Sequence, residues 1–202
     1  MTIYGAMLSA AIRLVGQRPS VFFGSSGNFE IEICDLINEV ARDILASHDW
    51  QGLTKIQTLT ANGESSFPRP DDYDRMVLVA DMQRPETWLW GYYHAADINE
   101  FMAIQDSGFQ GLPGAWTLVG DQFTFSPAPS GDAKFAYISK EYATDPATLT
   151  RKTAFSADTD TFVLPERLLT LGLVWRWREQ KKLDFSGDQE AFAKALSEES
   201  GK

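Results

Sequence analysis

The chain has 202 residues, of which 44% are hydrophobic and 23% are charged. These are values of an ordinary globular protein, so neither a disordered chain nor a membrane-spanning chain is expected. The single cysteine, Cys34, excludes an internal disulfide. The formal net charge of −10 disfavours tight binding of nucleic acid, because an acidic surface repels phosphate, but it is compatible with transient, non-specific contact with DNA.

The first quarter of the sequence predicts two helices. Apolar residues at helical spacing predict the first over residues 3–16, and Gly16 and Pro19 end it. Its apolar stretch is too short for a membrane span and has no basic segment before it, so synthesis in the cytoplasm without export is expected. A second helix is predicted over residues 29–50, with Asn28 as its N-cap.

The middle of the chain has the pattern of short strands and turns, with one short helix predicted over residues 95–105. The predicted strands cover residues 54–60, 65–67, 75–81, 87–93, 116–119, 122–125 and 133–139. Two dipeptides, Asn62-Gly63 and Gly120-Asp121, are predicted to be hairpin turns that pair the strands on either side of them.

The last third of the chain predicts a polar segment and two more helices. Residues 141–160 are expected to form a loop or an extended arm. A helix begins at Pro165 and is predicted to be amphipathic, with Gly172 marking a place where another backbone comes close. The sequence of residues 186–189 matches a capping box and predicts the start of a final helix.

Helices at both ends of a chain must bury their apolar faces, and packing against one another is the simplest arrangement. The sequence therefore predicts an α+β fold in which the N- and C-terminal helices form a helical bundle with an inserted antiparallel β-rich subdomain. The predicted organisation is residues 1–53 together with 161–202 for the bundle, 54–140 for the β-rich subdomain, and 141–160 for the loop or arm.

No local motif in the sequence predicts a catalytic, cofactor or metal site. The two histidines, His48 and His94, have no partner at ligand spacing. The segment Ala157–Phe162 has the paired aspartates with which some phosphatases begin, but it lacks the preceding apolar strand. A catalytic pair of acidic residues that come together only in the folded chain, as in a glycosidase, is not excluded by the sequence.

Aromatic residues are concentrated in the predicted β-rich subdomain. The candidate protein-interface residues are Trp88, Trp90, Tyr92, Trp116, Phe123 and Phe125. Large aromatics fall on both faces of the predicted strand 87–93, so either core packing or an interface with another protein can account for them.

Four segments, taken in their order along the chain, carry a resemblance. They are Asp35–Leu45 followed by His48-Asp49-Trp50, Phe67–Met76, the proline-ended hairpin Trp116–Pro129, and Leu164–Arg178. Together they resemble the head-to-tail adaptor (connector) proteins of short-tailed phages, over nearly the whole chain.

The resemblance implies a structural virion protein rather than an enzyme. It implies a ring, usually of twelve copies, that lies beneath the portal in the head–tail neck and lets DNA pass during ejection. The implied partners are further copies of the chain, the portal protein, the tail nozzle and tail fibre proteins, with no cofactor and no membrane. Synthesis in the cytoplasm of the bacterial host is implied as well.

Two other functions are compatible with the sequence. A cell-wall-degrading virion enzyme would need a cleft with paired carboxylates. A carbohydrate-binding module would need an exposed row formed by Trp88, Trp90 and Trp116.

Overall fold

A computed structural model of the chain describes residues 2–77, 82–85, 91–107 and 114–201. The chain forms two compact units. The helical unit comprises Met1–Leu53 and Lys140–Lys202, and the β-rich unit comprises Thr54–Ser139. The predicted α+β fold, with helices at both ends and a β-rich insertion between them, is confirmed.

The described residues contain five α-helices, one short 3-10 helix at Gln51–Leu53 and ten short strands. The helices are α1 Ile3–Val15, α2 Asn28–Ser47, α3 Ile98–Asp106, α4 Glu166–Gln180 and α5 Ser186–Ser200. The strands are β1 Thr54–Leu59, β2 Ser66–Pro68, β3 Tyr73–Met76, β4 Tyr93–His94, β5 Ala115–Val119, β6 Gln122–Ser126, β7 Ala133–Ser139, β8 Ala143–Thr144, β9 Arg151–Lys152 and β10 Thr161–Phe162.

Helix α4 is the centre of the helical unit, where it contacts α1, α2 and α5. Its buried residues follow one another along the sequence and so point in every direction around the axis. They are Leu168, Leu169, Thr170, Gly172, Leu173, Val174 and Trp175. The middle of α4, residues 168–175, is therefore buried on most sides, and the prediction of a one-sided amphipathic helix is wrong there.

Two predicted helix starts differ from the structure. Asn28 lies inside α2, and Gly27 is the N-cap. At α5 the predicted capping box does not form; the N-cap is Phe185, and the carboxylate of Asp184 accepts hydrogen bonds from the backbone N–H and the hydroxyl of Ser186. A short acidic side chain just before the helix thus satisfies one of the free N–H groups at its start.

Residues 141–160, expected to be a loop or an extended arm, fold within the helical unit. Strands β8, β9 and β10 form a small antiparallel sheet in the order β10-β8-β9. Tyr142 and Phe155 are buried. The side-chain oxygen of Asn38 in α2 accepts hydrogen bonds from the hydroxyl of Tyr142 and from the backbone N–H of Phe155. The segment was predicted to be a loop or arm because its composition is mostly polar, and its few buried residues give no sequence pattern.

The β-rich unit contains two sheets, in the orders β1-β7-β3 and β2-β6-β5-β4. The predicted hairpin of β5 and β6 is present, with Trp116 opposite Phe125 and Leu118 opposite Phe123. All strand pairs in these two sheets are antiparallel except β4 with β5, which is parallel. The predicted helix over 95–105 is present as α3; parts of the predicted strands 75–81 and 87–93 lie outside the described residues.

The hairpin predicted at Asn62-Gly63 does not form, because β1 pairs with β7 and β2 pairs with β6. The polar groups of the connection are satisfied locally. The carboxamide of Asn62 accepts the N–H of Glu64, and Asp132 accepts the N–H of Ala61. Because these local hydrogen bonds hold the turn, β1 and β2 on either side of it need not pair with each other, and the chain passes from one sheet to the other there.

Gly172 of α4 lies where two other helices come close. A Cβ placed on it would lie 2.3 Å from Val40 Cγ1 of α2 and 3.3 Å from Phe192 Cε2 of α5. The close neighbour is therefore a pair of side chains, and the expectation of a close backbone is wrong.

We expect Gly172→Ala to destabilise the protein by about 1–3 kcal/mol, because forced overpacking outweighs the helix propensity that alanine adds. Urea denaturation followed by circular dichroism measures the loss. Gly187→Ala is the matched control, since nothing lies within 4 Å of that helical glycine. The interpretation is wrong if Gly172→Ala is neutral, or if adding Val40→Ala restores none of the lost stability.

Candidate interaction surfaces

Four of the six predicted interface residues lie in the core of the β-rich unit. Tyr92, Trp116, Phe123 and Phe125 expose 2%, 2%, 0% and 2% of their surface, so their side chains have no area to offer to a partner. Their rings pack on one another, with centroid distances of 5.2 Å for Tyr92–Phe125 and 5.8 Å for Trp116–Phe123. Core packing accounts for these four residues, while Trp88 and Trp90 lie outside the described residues.

The two histidines have structural surroundings. His48 is the C-cap residue of α2, and its Nδ1 lies 3.0 Å from the hydroxyl of Ser47. The ring of His94 packs on that of Trp116 at a centroid distance of 4.4 Å. Within residues 2–77, 82–85, 91–107 and 114–201, no group of three or more His, Cys, Asp and Glu side chains is arranged to hold a metal ion.

The paired aspartates of Ala157–Phe162 hold the segment 141–160 against the helical unit. Asp158 accepts the backbone N–H groups of Phe22 and Phe23 at 2.9 and 3.0 Å. Asp160, only 1% exposed, accepts two bonds of 2.7 Å from Lys152 and further bonds from the backbone at residues 156 and 157. Each carboxylate is thus part of the fold, and its surroundings are those of a structural ion rather than of a phosphatase nucleophile.

Asp72 links the strands of one sheet in the β-rich unit. Its carboxylate accepts bonds from Lys55 at 2.5 Å, Ser139 at 2.7 Å and Tyr137 at 2.8 Å. Burial, the largest single influence, raises the pKa of Asp72, but the three hydrogen bonds together with the charge of Lys55 outweigh it and lower the pKa to about 2. The carboxylate is therefore fully ionised at neutral pH and acts as a fixed acceptor.

Cys34 on α2 is half-buried. Burial, with smaller contributions from the negative charges of Asp158 and Glu30, raises the pKa of its thiol from 9.0 to about 11. We expect alkylation of Cys34 at pH 8 to be at least about 10-fold slower in the folded protein than in urea, because the thiolate is scarcer. Equal rates in the two states, measured by mass spectrometry, would contradict this.

Exposed apolar side chains occur on both units. In the helical unit α1 exposes Ile12 and Val15 at 41% and 38%, and a hairpin tip exposes Leu149 at 79%. In the β-rich unit α3 exposes Ile98 and Met102, one turn apart, at 46% and 52%. Ile12 and Val15 belong to the apolar side of the predicted first helix, so their exposure differs from the expected burial. No sequence pattern marked Ile98, Met102 or Leu149 as exposed, because an apolar residue in a loop or on a short helix is equally compatible with burial.

None of the helices in the described ranges is both long and apolar enough to pass through a lipid bilayer.

The structure thus combines a compact helical unit and a β-rich unit, and Asp72, Asp158 and Asp160 serve the fold of these units. The chain belongs to the SU10 adaptor protein family, whose profile matches residues 2–201. It is accordingly a phage adaptor protein, and the family is one of structural virion proteins rather than of enzymes. No curated protein matches the chain.

Proposed function

We propose that this chain is the head-to-tail adaptor of a tailed phage. Copies of it, twelve in the proposed ring, assemble between the portal and the tail nozzle in the neck of the virion. The ring offers a platform for nozzle and fibre proteins and a conduit through which DNA is ejected. The match to an adaptor family over residues 2–201 carries this proposal.

The surface chemistry of the chain supports an assembly role. Apolar side chains that remain exposed on each unit, such as Leu149 and Met102, are suited to contacts with other proteins. These side chains are not part of the core of either unit. Each unit can therefore fold first and still present them to a partner during assembly.

The acidity of the chain supports passage of DNA. Each copy has a formal net charge of −10, and acidic groups that line the ring would repel phosphate and keep DNA from adhering. A ring whose inner wall carried mainly Lys and Arg side chains would contradict this part of the proposal.

A nonsense allele of the gene tests the function. We expect infected cells to accumulate DNA-filled heads that lack tails, counted by negative-stain electron microscopy, and a plasmid copy to restore tailed particles. Purified portal is expected to co-elute with the chain in size-exclusion chromatography. Tailed, infectious particles without the protein, or a purified chain that clears bacterial wall preparations, would contradict a purely structural adaptor.

A further inference from the structure

The tip of the β8–β9 hairpin presents a leucine to solvent. Leu149 is 79% exposed and has a backbone φ of 57°, a left-handed conformation that a side chain with a Cβ rarely adopts. Both features are unfavourable for an isolated chain. Unfavourable features that the surrounding structure enforces are a reason to look for a function.

Hydrogen bonds hold this tip in a defined shape. The backbone N–H of Asp145 donates to Thr150 O at 2.9 Å, and that of Leu149 donates to Asp145 O at 2.8 Å. The carboxylate of Asp145 also accepts the N–H of Ala147 at 2.9 Å. The leucine side chain is therefore carried on a fixed turn, and little entropy is lost when it binds.

A pocket of about 280 Å³ lies in the same helical unit. The residues that line it come from the end of α2, the turn after it, the start of α4 and the end of α5. They are His48, Asp49, Trp50, Gln51, Gly52, Val163, Leu164, Pro165, Glu199 and Ser200. Trp50, Val163, Leu164 and Pro165 give the pocket an apolar part beside its polar and charged residues, and that part can receive the side chain of a leucine.

The hairpin tip and the pocket lie at opposite ends of one strand pair. In the antiparallel register Thr144 is opposite Thr161 and Ala143 is opposite Phe162, and the next N–H, that of Val163, donates to Tyr142 O. The tip follows β8 after Thr144, whereas the pocket residues follow β10 after Phe162, so the two leave the sheet in opposite directions. One copy cannot fill its own pocket, but two copies can meet head to tail.

Charged residues lie near both features. Arg151 follows Leu149 by two residues and is partly exposed, and Asp145 at the start of the tip carries the opposite charge. Asp49 and Glu199 belong to the pocket lining. A contact between Arg151 and either of these carboxylates would favour one orientation over the others.

We propose that Leu149 of each copy inserts into this pocket of the next copy in the ring. The contact joins two different surfaces, and repetition of such a contact closes into a ring when the rotation between copies permits it. This inference rests on the proposed ring function and gives that ring its subunit contact.

Chemical crosslinking in assembled virions tests the contact. We expect virions that carry Leu149→Cys together with Gln51→Cys to give a ladder of covalent multimers with a short bis-maleimide reagent. Each single substitution should give none beyond the background from Cys34. The matched control combines Gln51→Cys with Leu183→Cys, because Leu183 is also an exposed leucine of the helical unit, at 51%.

A second variant tests the energetics. Leu149→Asn keeps a residue that tolerates the left-handed conformation but removes the apolar side chain. We expect it to weaken association between copies about 10- to 100-fold, measured as the chain concentration needed to saturate purified portal, while Leu183→Asn leaves it unchanged. The proposal is overturned if Leu149→Asn saturates the portal at the same concentration as the wild-type chain. It is also overturned if the doubly substituted chain is present in virions but gives no crosslinked multimers.

These outcomes separate the contact from the function. A chain that is present in the neck and required for tails, but gives no ladder, overturns only the contact. If the chain is absent from virions, both the proposed adaptor function and the proposed contact are ruled out.

Discussion

Replacing Phe123 by alanine is expected to destabilise the β-rich unit by about 3–5 kcal/mol. The side chain is 0% exposed and packs against Tyr73, Trp116 and Phe135 at ring-centroid distances of 5.7, 5.8 and 4.8 Å. Truncation leaves a cavity that these large rings cannot close. Urea denaturation followed by tryptophan fluorescence and circular dichroism measures the change.

The same substitution separates the two interpretations of the aromatic residues. A core residue loses stability in the free chain, whereas an interface residue loses only association. Val119→Ala on the same hairpin is the control; since Val119 is 45% exposed, we expect a change within about 0.5 kcal/mol. Wild-type stability of Phe123→Ala, with lost binding to a partner, would contradict the core assignment.

Asp72→Ala is expected to cost the β-rich unit about 2–3 kcal/mol, because three hydrogen bonds to one charged group are lost together. The bonds come from Lys55 on β1 and from Tyr137 and Ser139 on β7. Asp74→Ala removes a nearby acidic residue that is bonded to its neighbour Arg75 and 42% exposed, so it should change stability by less than about 0.5 kcal/mol. Equal effects of the two substitutions would argue against a structural network at Asp72.

The effect of Asp72 also depends on pH in a defined direction. Its folded pKa, about 2, lies below the ordinary 3.8, so the ionised form is the one that folding favours. The stability that the carboxylate contributes is fully present above pH 3.8 and is lost as the pH falls toward 2. The difference in unfolding free energy between wild type and Asp72→Ala should therefore be constant from pH 5 to 8 and shrink below pH 3.8; a difference that peaks in acid would contradict this.

The sequence predicted the helices well because their signals are local. Apolar spacing marked α1 and α2, and Gly16 ends α1 with a left-handed φ of 69°, as a glycine at a helix end is expected to do. The β5–β6 hairpin was predictable for the same reason, since its turn and its alternating residues lie within one short segment.

Strand partners were harder to predict because they depend on distant residues. The pairing of β1 with β7 joins residues about eighty positions apart, and the turn at Asn62-Gly63 gave a local signal for a hairpin that tertiary packing overrides. The fold of the segment 141–160 was not predicted, because the hydrogen bonds that hold it have no sequence pattern. Asp158 accepts a backbone N–H of Phe22, and Asp160 accepts a hydrogen bond from Lys152.

Candidate interface residues were the feature hardest to predict. Aromatic enrichment favoured residues such as Trp116 and Phe125, which the β-rich unit uses for its own core. The exposure of Leu149 follows from the hairpin that carries it, and only the three-dimensional structure shows that a pocket lies at the opposite end of the same strand pair.

The proposed position of this chain in the virion can be tested by cryo-electron microscopy of the neck. We expect a closed ring of this chain directly below the portal, with the hairpin tip of each copy seated in the helical unit of its neighbour. Density for the chain elsewhere in the particle, or a neck without it, would show that the chain is not the head-to-tail adaptor.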